Sequence, residues 1–279
     1  MKSLVSTQWL AERLDADDLV VLDASAHLPN AGRDAEAEFA QAHIPGARFL
    51  DLKTLVDPDS AVPAALPTRV QFEERLSALG VETGNRVVLY DNSAMRTSAR
   101  AWFIFRLFGV DNFAVLDGGL QKWVEEGRET EAGHPKPSRS QFRATGGTGT
   151  VRDKAAMLAN CETGMEQTVD ARDAGRFTGE TPDTIHNLPG GHIPGARNLF
   201  FGDLLREHTT FRSPSELAEA FAKADIDPAR PLVASCGSGV TASVVLFAHH
   251  LLGHQHGALY DGSWSEWGAD PHTPKETGA

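Results

Sequence analysis

The chain has 279 residues and a formal net charge of −12, with 41% hydrophobic and 23% charged residues. This length is large for one hydrophobic core, so we expect two domains. The acidic balance disfavours nucleic acid and anionic membranes as partners, no stretch approaches the ~20 apolar residues of a membrane span, and two cysteines are too few for a disulfide framework.

Four segments of the first half recur in the second half in the same order. Matched segments lie 144 to 149 residues apart, so the period is far too long for a solenoid and we infer a duplicated domain. The pairs are VLDAS and TVDAR, with Asp23 and Asp170; HIPGAR at 43–48 and at 192–197; RVVLYD and PLVASC, ending at Asp91 and Cys236; and LDGGLQKW and YDGSWSEW, beginning at Leu116 and Tyr260.

Between the copies lies a stretch rich in Pro, Gly, Ser and Thr, a composition that interrupts periodic structure and suits an exposed connector. We therefore predict a first domain at 1–132, a linker at 133–150 and a second domain at 151–279. No signal or transit peptide is recognisable at the start of the chain, so the expected location is a reducing cytoplasm.

Short apolar strands alternate with helices in each copy. In the second copy, EQTVDA and RPLVAS predict strands, and an N-cap signal at Ser213 or Ser215 precedes helical periodicity. GVTASVVLFAHHLLG predicts an apolar helix that ends at Gly253, and GALYDGSWSEWG a further strand and turn. The alternation predicts an α/β fold in which each domain is a parallel sheet with helices on both faces.

One of the two cysteines follows the predicted strand RPLVAS, where ligands bind in parallel α/β sheets. Glycines allow the next N–H groups to turn inward, and the following helix, expected to begin near Val240 or Thr241, adds partial positive charge. A thiol there is biased toward the nucleophilic thiolate. The candidate catalytic residues are Cys236, Gly237, Ser238, Gly239, Val240 and Thr241.

Other interpretations of this loop are weaker. GSGVTA with Asp261 fits a dinucleotide fingerprint, but the pattern is short and lies late in its domain. A cysteine phosphatase needs an arginine where Ala242 stands. A serine-hydrolase elbow at Ser238 needs glycines where Cys236 and Val240 stand. Cys236 could also be a small buried hydrophobe. Cys161 has no such context, and we expect a structural or surface role for it.

The loop CGSGVTA, HIPGA in both halves, DARDAGRFTGE and YDGSWSEW together resemble the tandem rhodanese-type sulfurtransferases. In this family the first domain has lost its catalytic cysteine and the second keeps it, which agrees with Asp91 at the position equivalent to Cys236. The resemblance implies that 1–132 is a catalytically inactive rhodanese-like domain and that 151–279 is the catalytic one.

The loop is most similar to that of 3-mercaptopyruvate sulfurtransferases. Thiosulfate-preferring members carry Arg and Lys where this chain has Gly237 and Ser238, and cations there help to hold a compact dianion. The resemblance therefore implies transfer of a sulfane sulfur from 3-mercaptopyruvate, through a Cys236 persulfide, to a thiol or cyanide. The alternatives are a thiosulfate:cyanide sulfurtransferase and a non-catalytic persulfide carrier or sensor.

The resemblance also implies substrate-binding residues. Arg176 matches the family's arginine for the donor carboxylate, Arg172 lies nearby but fits the motif less well, and Arg100 matches a first-domain arginine that faces the cleft in relatives. Expected partners are a small-molecule sulfur donor, a thiol or cyanide acceptor and a thioredoxin-like reductant, with no nucleic acid and no membrane. No cofactor and no metal are expected.

This chain departs from the family at three positions. Ile185 stands where relatives carry a further arginine, and Lys53 and Ala64 stand where they carry an Asp and a His proposed to assist proton transfer. These changes leave the cysteine chemistry intact but leave the source of the proton open. Both copies keep the HIPGAR histidines, His43 and His192, so we predict a structural role for them, and we expect Trp264 and Trp267 to be packing residues.

Overall fold

The computed structural model describes residues 1–278, apart from the side chain of residue 208. The chain forms two compact units, and each takes in a short segment from the other half of the sequence. The predicted boundaries at 1–132 and 151–279 did not include this exchange. The first unit comprises Met1–Asp57, Leu66–Thr148 and Glu207–Phe211, and the second comprises Pro58–Ala65, Gly149–Arg206 and Arg212–Ala279.

The first unit is built on a five-stranded parallel sheet with the strand order β1-β5-β4-β2-β3. Its central strands are short runs of Val and Leu, and they are buried because helices flank the sheet. The strands are β1 (Leu4–Val5), β2 (Leu19–Asp23), β3 (Arg48–Phe49), β4 (Arg86–Tyr90) and β5 (Phe113–Leu116). The helices are α1 (Thr7–Ala11), α2 (Ala35–Gln41), α3 (Arg69–Ala78), α4 (Ser98–Leu107) and α5 (Gly119–Glu125), and a 3₁₀ helix spans Glu207–Thr209.

The second unit repeats this sheet with the order β6-β10-β9-β7-β8, again all parallel. The two sheets flanked by helices confirm the α/β fold. The strands are β6 (Thr150–Arg152), β7 (Gln167–Asp170), β8 (Arg197–Asn198), β9 (Leu232–Ser235) and β10 (Gly257–Tyr260). The helices are α6 (Lys154–Thr163), α7 (Ala174–Thr178), α8 (Pro214–Lys223), α9 (Ala242–Leu251) and α10 (Ser263–Trp267), and a 3₁₀ helix spans Phe201–Leu204.

Local signals fix the ends of the helices in the second unit. Ser213 caps α8 in a capping box with Glu216, as one of the two predicted N-caps, and Pro214 occupies the first helical position. Helix α9 is buried along most of its length, as its apolar sequence predicts, and Thr241 is its N-cap residue. Gly253 follows the helix with φ +94°, the left-handed conformation that favours glycine.

The predicted linker runs along the first unit and is mostly exposed. Phe142 is the exception, because its ring is only 4% exposed and packs edge-on against Phe72. The N–H of Phe142 also donates to the Ser77 hydroxyl. The connector is therefore held to the first unit by hydrogen bonds and by one buried aromatic side chain, which composition alone does not reveal.

Within residues 1–278, no helix has the length and apolar character needed to cross a membrane.

Candidate active site

The candidate site of the second unit lies where its strand order reverses. Strand β7 continues to β8 on one side, whereas β9 and β10 lie on its other side. The last residues of the two central strands, Asp170 and Ser235, are paired in register. Parallel α/β sheets bind ligands at this kind of switch point, beyond the carboxyl ends of the strands. Cys236 is the first residue after β9 and therefore occupies that position.

The turn between β10 and α10 holds the backbone of Cys236 in place. The Cys236 N–H donates to the Ser263 hydroxyl at 3.1 Å, and the Cys236 carbonyl accepts from the Trp264 N–H at 2.9 Å. Ser263 in turn donates to the Tyr260 carbonyl at 2.8 Å. The cysteine is 2% exposed and has no disulfide partner. The thiol thus lies on a backbone fixed by hydrogen bonds, at the carboxyl end of a central strand.

Ser263 is a site residue that the sequence analysis missed. Its φ is +48°, a conformation that is unusual for a residue with a side chain. The equivalent residue in the first unit is Gly119, with φ +57°. The repeat alignment carried this signal, because a glycine in one copy points to a left-handed backbone at the same position in the other.

The loop after Cys236 presents main-chain donors. Among the described residues, none accepts a hydrogen bond from the N–H groups of Gly237, Ser238, Val240 or Thr241. Gly239 has φ +77°, which turns the chain into the N-terminus of α9. The hydroxyls of Ser238 and Thr241 also have no hydrogen-bond partner among residues 1–278, and both residues are partly exposed. Such a loop at a helix N-terminus favours an anion.

The equivalent loop of the first unit contains an anion of its own. Asp91 occupies the position of Cys236, and its two carboxylate oxygens accept from the Ser93 N–H at 2.8 Å and the Ser98 N–H at 2.9 Å. The guanidinium of Arg96 lies 3.7 Å away. Ser98 is the first residue of α4, so both the loop and the helix N-terminus contribute a donor. A negative charge at this position of the fold is therefore solvated by backbone N–H groups.

Arg172 lies beneath the second loop and is almost completely buried. It binds Asp170 through Nε and Nη2, at 2.6 to 3.1 Å, and its guanidinium lies 4.6 Å from the ring centre of Trp264. Burial alone would lower the pKa of Arg172, but the charges of Asp170, Asp183 and the Cys236 thiolate outweigh it and raise that pKa. The structure therefore places Arg172 as a buried cation near the cysteine rather than as an exposed ligand group.

Arg176 is the better placed of the two arginines to meet a substrate. It lies on the short helix α7, and its side chain is 17% exposed. Its Nε donates to the carboxylate of Asp173 at 2.5 Å, and its Nη1 lies 3.7 Å from Asp183. Among the described residues, Nη2 has no partner. This arrangement fixes the side chain and leaves one nitrogen for a bound carboxylate. Arg100 belongs to α4 of the first unit and is 5% exposed.

A histidine and an aspartate that the sequence analysis did not select lie against the loop. The imidazole of His186 fills the space where a side chain at Gly237 would stand, since a Cβ there would be 2.1 Å from the ring's Cε1. His186 Nδ1 lies 3.0 Å from Asp183 Oδ1, and Asp183 is fully buried. The sequence analysis compared this segment with relatives at Ile185 but did not consider the next residue.

The remaining aromatic predictions agree with the structure. His43 and His192 are buried, and the Nδ1 of each hydrogen-bonds a main-chain carbonyl, of Phe39 and Phe177 respectively. Both rings stack on those phenylalanines, at 4.0 and 3.9 Å. Trp264 and Trp267 are buried in the core of the second unit, and their indole nitrogens donate to the carbonyls of Pro189 and Pro274.

The family model of the rhodanese-like domain matches this chain twice, at residues 6–126 and 153–270. The two matches coincide with the two halves of the internal repeat.

Curated proteins of similar sequence cover nearly the whole chain. It is 39% identical to the human 3-mercaptopyruvate sulfurtransferase over 272 residues, which is 95% of this chain and 92% of the relative. It is 38% identical to the thiosulfate sulfurtransferase of Gallus gallus, with 95% and 93% covered. Among solved structures, SseA from Escherichia coli, described as a 3-mercaptopyruvate sulfotransferase, is 34% identical with a TM-score of 0.86, covering 95% of this chain and 99% of the other.

Proposed function

Because the chain belongs to the rhodanese-like family, in two tandem copies, we propose that it is a sulfurtransferase that takes a sulfane sulfur from 3-mercaptopyruvate, forms a persulfide on Cys236 and passes the sulfur to a thiol or cyanide. The observation that carries this proposal is the placement of Cys236. It follows a central strand at the switch point of the sheet, ahead of four N–H groups that no described residue accepts.

In the first half-reaction, the Cys236 thiolate attacks the sulfur of 3-mercaptopyruvate. A sulfur–sulfur bond forms, the carbon–sulfur bond breaks, and pyruvate leaves. Negative charge stays on the outer sulfur of the persulfide, where the N–H groups of residues 237–241 and the hydroxyls of Ser238 and Thr241 stabilise it. The carboxylate of Asp91 in the first unit receives N–H groups from the corresponding loop and helix, which supports this assignment.

Two arginines contribute positive charge in different ways. Arg176 binds the carboxylate of the donor through its outward nitrogen, while its Nε stays fixed to Asp173. Arg172 remains buried on Asp170 and acts on Cys236 only through its charge. Arg100 is proposed as a further donor-binding residue on the family resemblance alone. The structure supports these roles unequally, and Arg176 is the strongest of the three.

The choice of donor follows from what lies beside the cysteine. Gly237 has no side chain and Ser238 is neutral, so the loop carries no cation next to Cys236 that would hold a compact dianion such as thiosulfate. In 3-mercaptopyruvate the carboxylate lies farther from the transferred sulfur, where a more distant arginine can bind it. A thiosulfate:cyanide sulfurtransferase is the alternative, in line with the thiosulfate sulfurtransferases among the relatives.

In the second half-reaction, a small thiol, cyanide or a thioredoxin-like reductant removes the outer sulfur, which gives ping-pong kinetics. Two unpaired cysteines and the acidic composition suit a reducing cytoplasm as the place of action.

The test compares donors and a cysteine variant. Wild type and Cys236→Ser are assayed with 3-mercaptopyruvate and with thiosulfate, and the intact mass is measured after incubation with each donor. We expect a gain of about 32 Da, one sulfur, on wild type only, with turnover preferring 3-mercaptopyruvate. Undiminished activity of the serine variant would exclude the persulfide mechanism, and a preference for thiosulfate would exclude the donor assignment alone. A stable persulfide without turnover on thiols or cyanide would instead identify a carrier or sensor.

A further inference from the structure

The imidazole of His186 contacts the residue that follows the nucleophile. A Cβ placed on Gly237 would be 2.1 Å from Cε1, 2.9 Å from Nδ1 and 3.0 Å from Nε2 of His186. The ring therefore lies directly over the Cα of Gly237. Its side chain is 17% exposed, so it lines the accessible side of the loop rather than the interior.

A buried carboxylate orients this ring. Asp183 Oδ1 lies 3.0 Å from His186 Nδ1 and 3.3 Å from the His186 N–H, and Asp183 itself has no exposed surface. With Nδ1 bound to the carboxylate, Nε2 is the nitrogen that can exchange a proton; no described residue hydrogen-bonds it. A carboxylate that holds one ring nitrogen of a histidine and leaves the other for proton transfer is the arrangement of a general acid–base pair.

The charges around this pair keep the carboxylate ionised. Burial would raise the pKa of Asp183, but the hydrogen bond and charge of His186 and the charges of Arg176 and Arg172 outweigh it and lower that pKa. The nearest guanidinium nitrogens are Arg176 Nη1 at 3.7 Å and Arg172 Nη1 at 3.6 Å. Asp170 and Asp173 are bonded to the same two arginines, and Cys236 directly precedes Gly237.

We propose that His186, oriented by Asp183, carries the proton during sulfur transfer from 3-mercaptopyruvate. The inference rests on the proposed function and supplies the proton route that Lys53 and Ala64 cannot provide at the positions where relatives have an Asp and a His. It also makes His186 the group that distinguishes this donor from thiosulfate.

The donor supplies both the electron pair and the proton that this step needs. The Cys236 thiolate attacks the donor sulfur, the carbon–sulfur bond breaks, and its electron pair moves onto the carbon as the enolate of pyruvate. His186 takes the proton from the donor's thiol group and delivers it to that carbon. The products are the Cys236 persulfide anion and pyruvate, and the protein neither gains nor loses a proton. Thiosulfate needs no such transfer, because sulfite leaves with the electron pair as a stable anion.

The test is His186→Gln, which keeps the size and hydrogen-bonding capacity of the side chain but cannot carry a proton. Persulfide formation is followed by rapid quench and intact mass from pH 5 to 9 with each donor. We expect the single-turnover rate with 3-mercaptopyruvate to fall about 100-fold and its pH profile to differ from that of wild type. The rate with thiosulfate should change less than about threefold, and KM for 3-mercaptopyruvate should change little.

Two variants complete the test. His272→Gln removes an exposed histidine elsewhere in the second unit and should leave both rates unchanged. In Asp183→Asn, Nε2 of His186 remains. The rate with 3-mercaptopyruvate should therefore still depend on pH, with a profile displaced from that of wild type. Equal losses with both donors in His186→Gln, or an unchanged pH profile, would overturn the proposal. If wild type forms no persulfide from 3-mercaptopyruvate, it is the proposed function that fails.

A second inference comes from three histidines outside this site. His249 lies near the end of α9, and His254 and His256 lie in the turn that leads to β10. One ring nitrogen from each can be chosen so that all three lie within 4.8 Å of one another. Their ring centres are 4.9 to 5.6 Å apart. No metal site was predicted from the sequence, because the histidines lack a Cys/His ligand spacing.

The bonding of His249 suits a metal ligand. The ring is buried, and Nε2 lies 2.8 Å from the carbonyl of Pro228. A carbonyl only accepts, so Nε2 carries the proton and Nδ1 has the lone pair of the neutral ring. Metal-binding histidines are commonly oriented by such a bond from the other nitrogen. Zinc with bonds of about 2.0–2.1 Å brings its nitrogen ligands to about 3.4 Å. The three nitrogens lie within 4.8 Å of one another, so they need approach by at most about 1.4 Å.

We propose that His249, His254 and His256 bind a divalent transition metal of the zinc class, with water completing the coordination. Imidazole is the ligand that this class shares. The test is calorimetric titration of metal-free protein with Zn²⁺, in a Cys236→Ser background so that the thiol does not compete. We expect one site with Kd below about 10 µM and a rise in Tm on loading.

The decisive variant is His254→Gln with His256→Gln, which leaves the buried His249 in place. It should weaken binding at least about 10-fold and remove the rise in Tm, whereas His272→Gln should bind as the parent does. Equal affinity of the double variant and the parent, or no saturable binding at 100 µM Zn²⁺ (about 10 times the expected Kd), would overturn the proposal.

Discussion

The two units place different groups at the same position, the carboxyl end of a central strand in a parallel sheet, where the fold favours a negative charge. The first unit supplies the charge permanently, as the carboxylate of Asp91 bonded to the Ser93 and Ser98 N–H groups. The second unit has Cys236 there, followed by N–H groups that no described residue accepts. The fold therefore requires neither a cysteine nor a carboxylate at this position, which is in line with a chemical role for Cys236.

The residue two positions after the aspartate that ends β2 or β7 also differs between the two units. In the second unit, Asp170 is paired with the buried guanidinium of Arg172. In the first unit, Ser25 stands at that place, and the carboxylate of Asp23 accepts from the Ser25 N–H at 2.8 Å. Burial raises the pKa of Asp23 to about 6, against hydrogen bonds from Ser25 and Tyr90 that lower it. The buried carboxyl group of the second unit is thus paired with a cation, whereas that of the first unit is only weakly compensated.

The largest expected effect is the conversion of the second loop to the first. Cys236→Asp should reduce sulfur transfer by about 1,000-fold or more, because the nucleophile is lost. Stability should be kept, since a carboxylate at this position is solvated by the loop, as at Asp91. Steady-state assays and a thermal melt measure the two effects. A melting temperature that drops as far as that of a core variant would show that the two loops are not equivalent.

The next largest effect is expected from Arg172→Ser, which gives the second unit the serine that the first unit has at this position. Removing one partner of a buried ion pair leaves Asp170 uncompensated and should cost about 3–5 kcal/mol. The measurement is urea unfolding followed by tryptophan fluorescence, which reports on Trp264 beneath the guanidinium. Combining Arg172→Ser with Asp170→Asn should recover much of the loss. A single variant as stable as wild type would mean that the pair contributes nothing.

Asp23→Asn tests the pH dependence of the first unit. The pKa of Asp23 is about 6 when folded and near 3.8 when unfolded, so the folded state holds the proton more tightly. Its stabilising contribution is present below about pH 4 and is lost as the pH rises through about 6. The change amounts to at most about 3 kcal/mol. Thermal melts at pH 4.5 and 8 should show this difference in wild type and not in the variant, and the reverse pattern would contradict the assignment.

The smallest effect concerns the turn that holds Cys236. Ser263→Ala keeps the left-handed backbone but removes the acceptor of the Cys236 N–H, and should cost about 1–2 kcal/mol. Ser263→Gly also loses the hydroxyl but relieves the strain of φ +48°, so it should cost less. Differential scanning calorimetry distinguishes the two variants. If alanine proves more stable than glycine, the backbone conformation is not strained.

Much of the fold could be predicted because its signals are local or repeated. Ser213 and Gly253 are the helix boundaries that their residue types indicate, and the start of α9 differs from the expectation by one or two residues. The duplication fixed the number of sheets, and the resemblance to rhodanese-type sulfurtransferases is confirmed by the family match in both halves. Cys236 was recognised because a strand, a cysteine, two glycines and a helix are consecutive in the sequence.

What escaped prediction depends on contacts between distant residues. His186 touches Gly237 across 51 positions of the chain, and no periodicity or spacing relates the two. Segments 58–65 and 207–211 belong to the unit formed by the other half, which the collinear repeat does not suggest. The family motif favoured Arg176 over Arg172, but it did not indicate that Arg172 is buried on Asp170 while Arg176 reaches the surface. This difference in burial depends on how the chain folds after β7.

The imidazole over Gly237 also constrains how this protein could evolve. A basic side chain at 237, the residue type found in thiosulfate-preferring relatives, would start from a Cβ 2.1 Å from the ring of His186. A single substitution there would displace the histidine before the new cation gained any function. Loss or movement of His186 must therefore precede or accompany the change at 237, so that the two positions are expected to change as a pair.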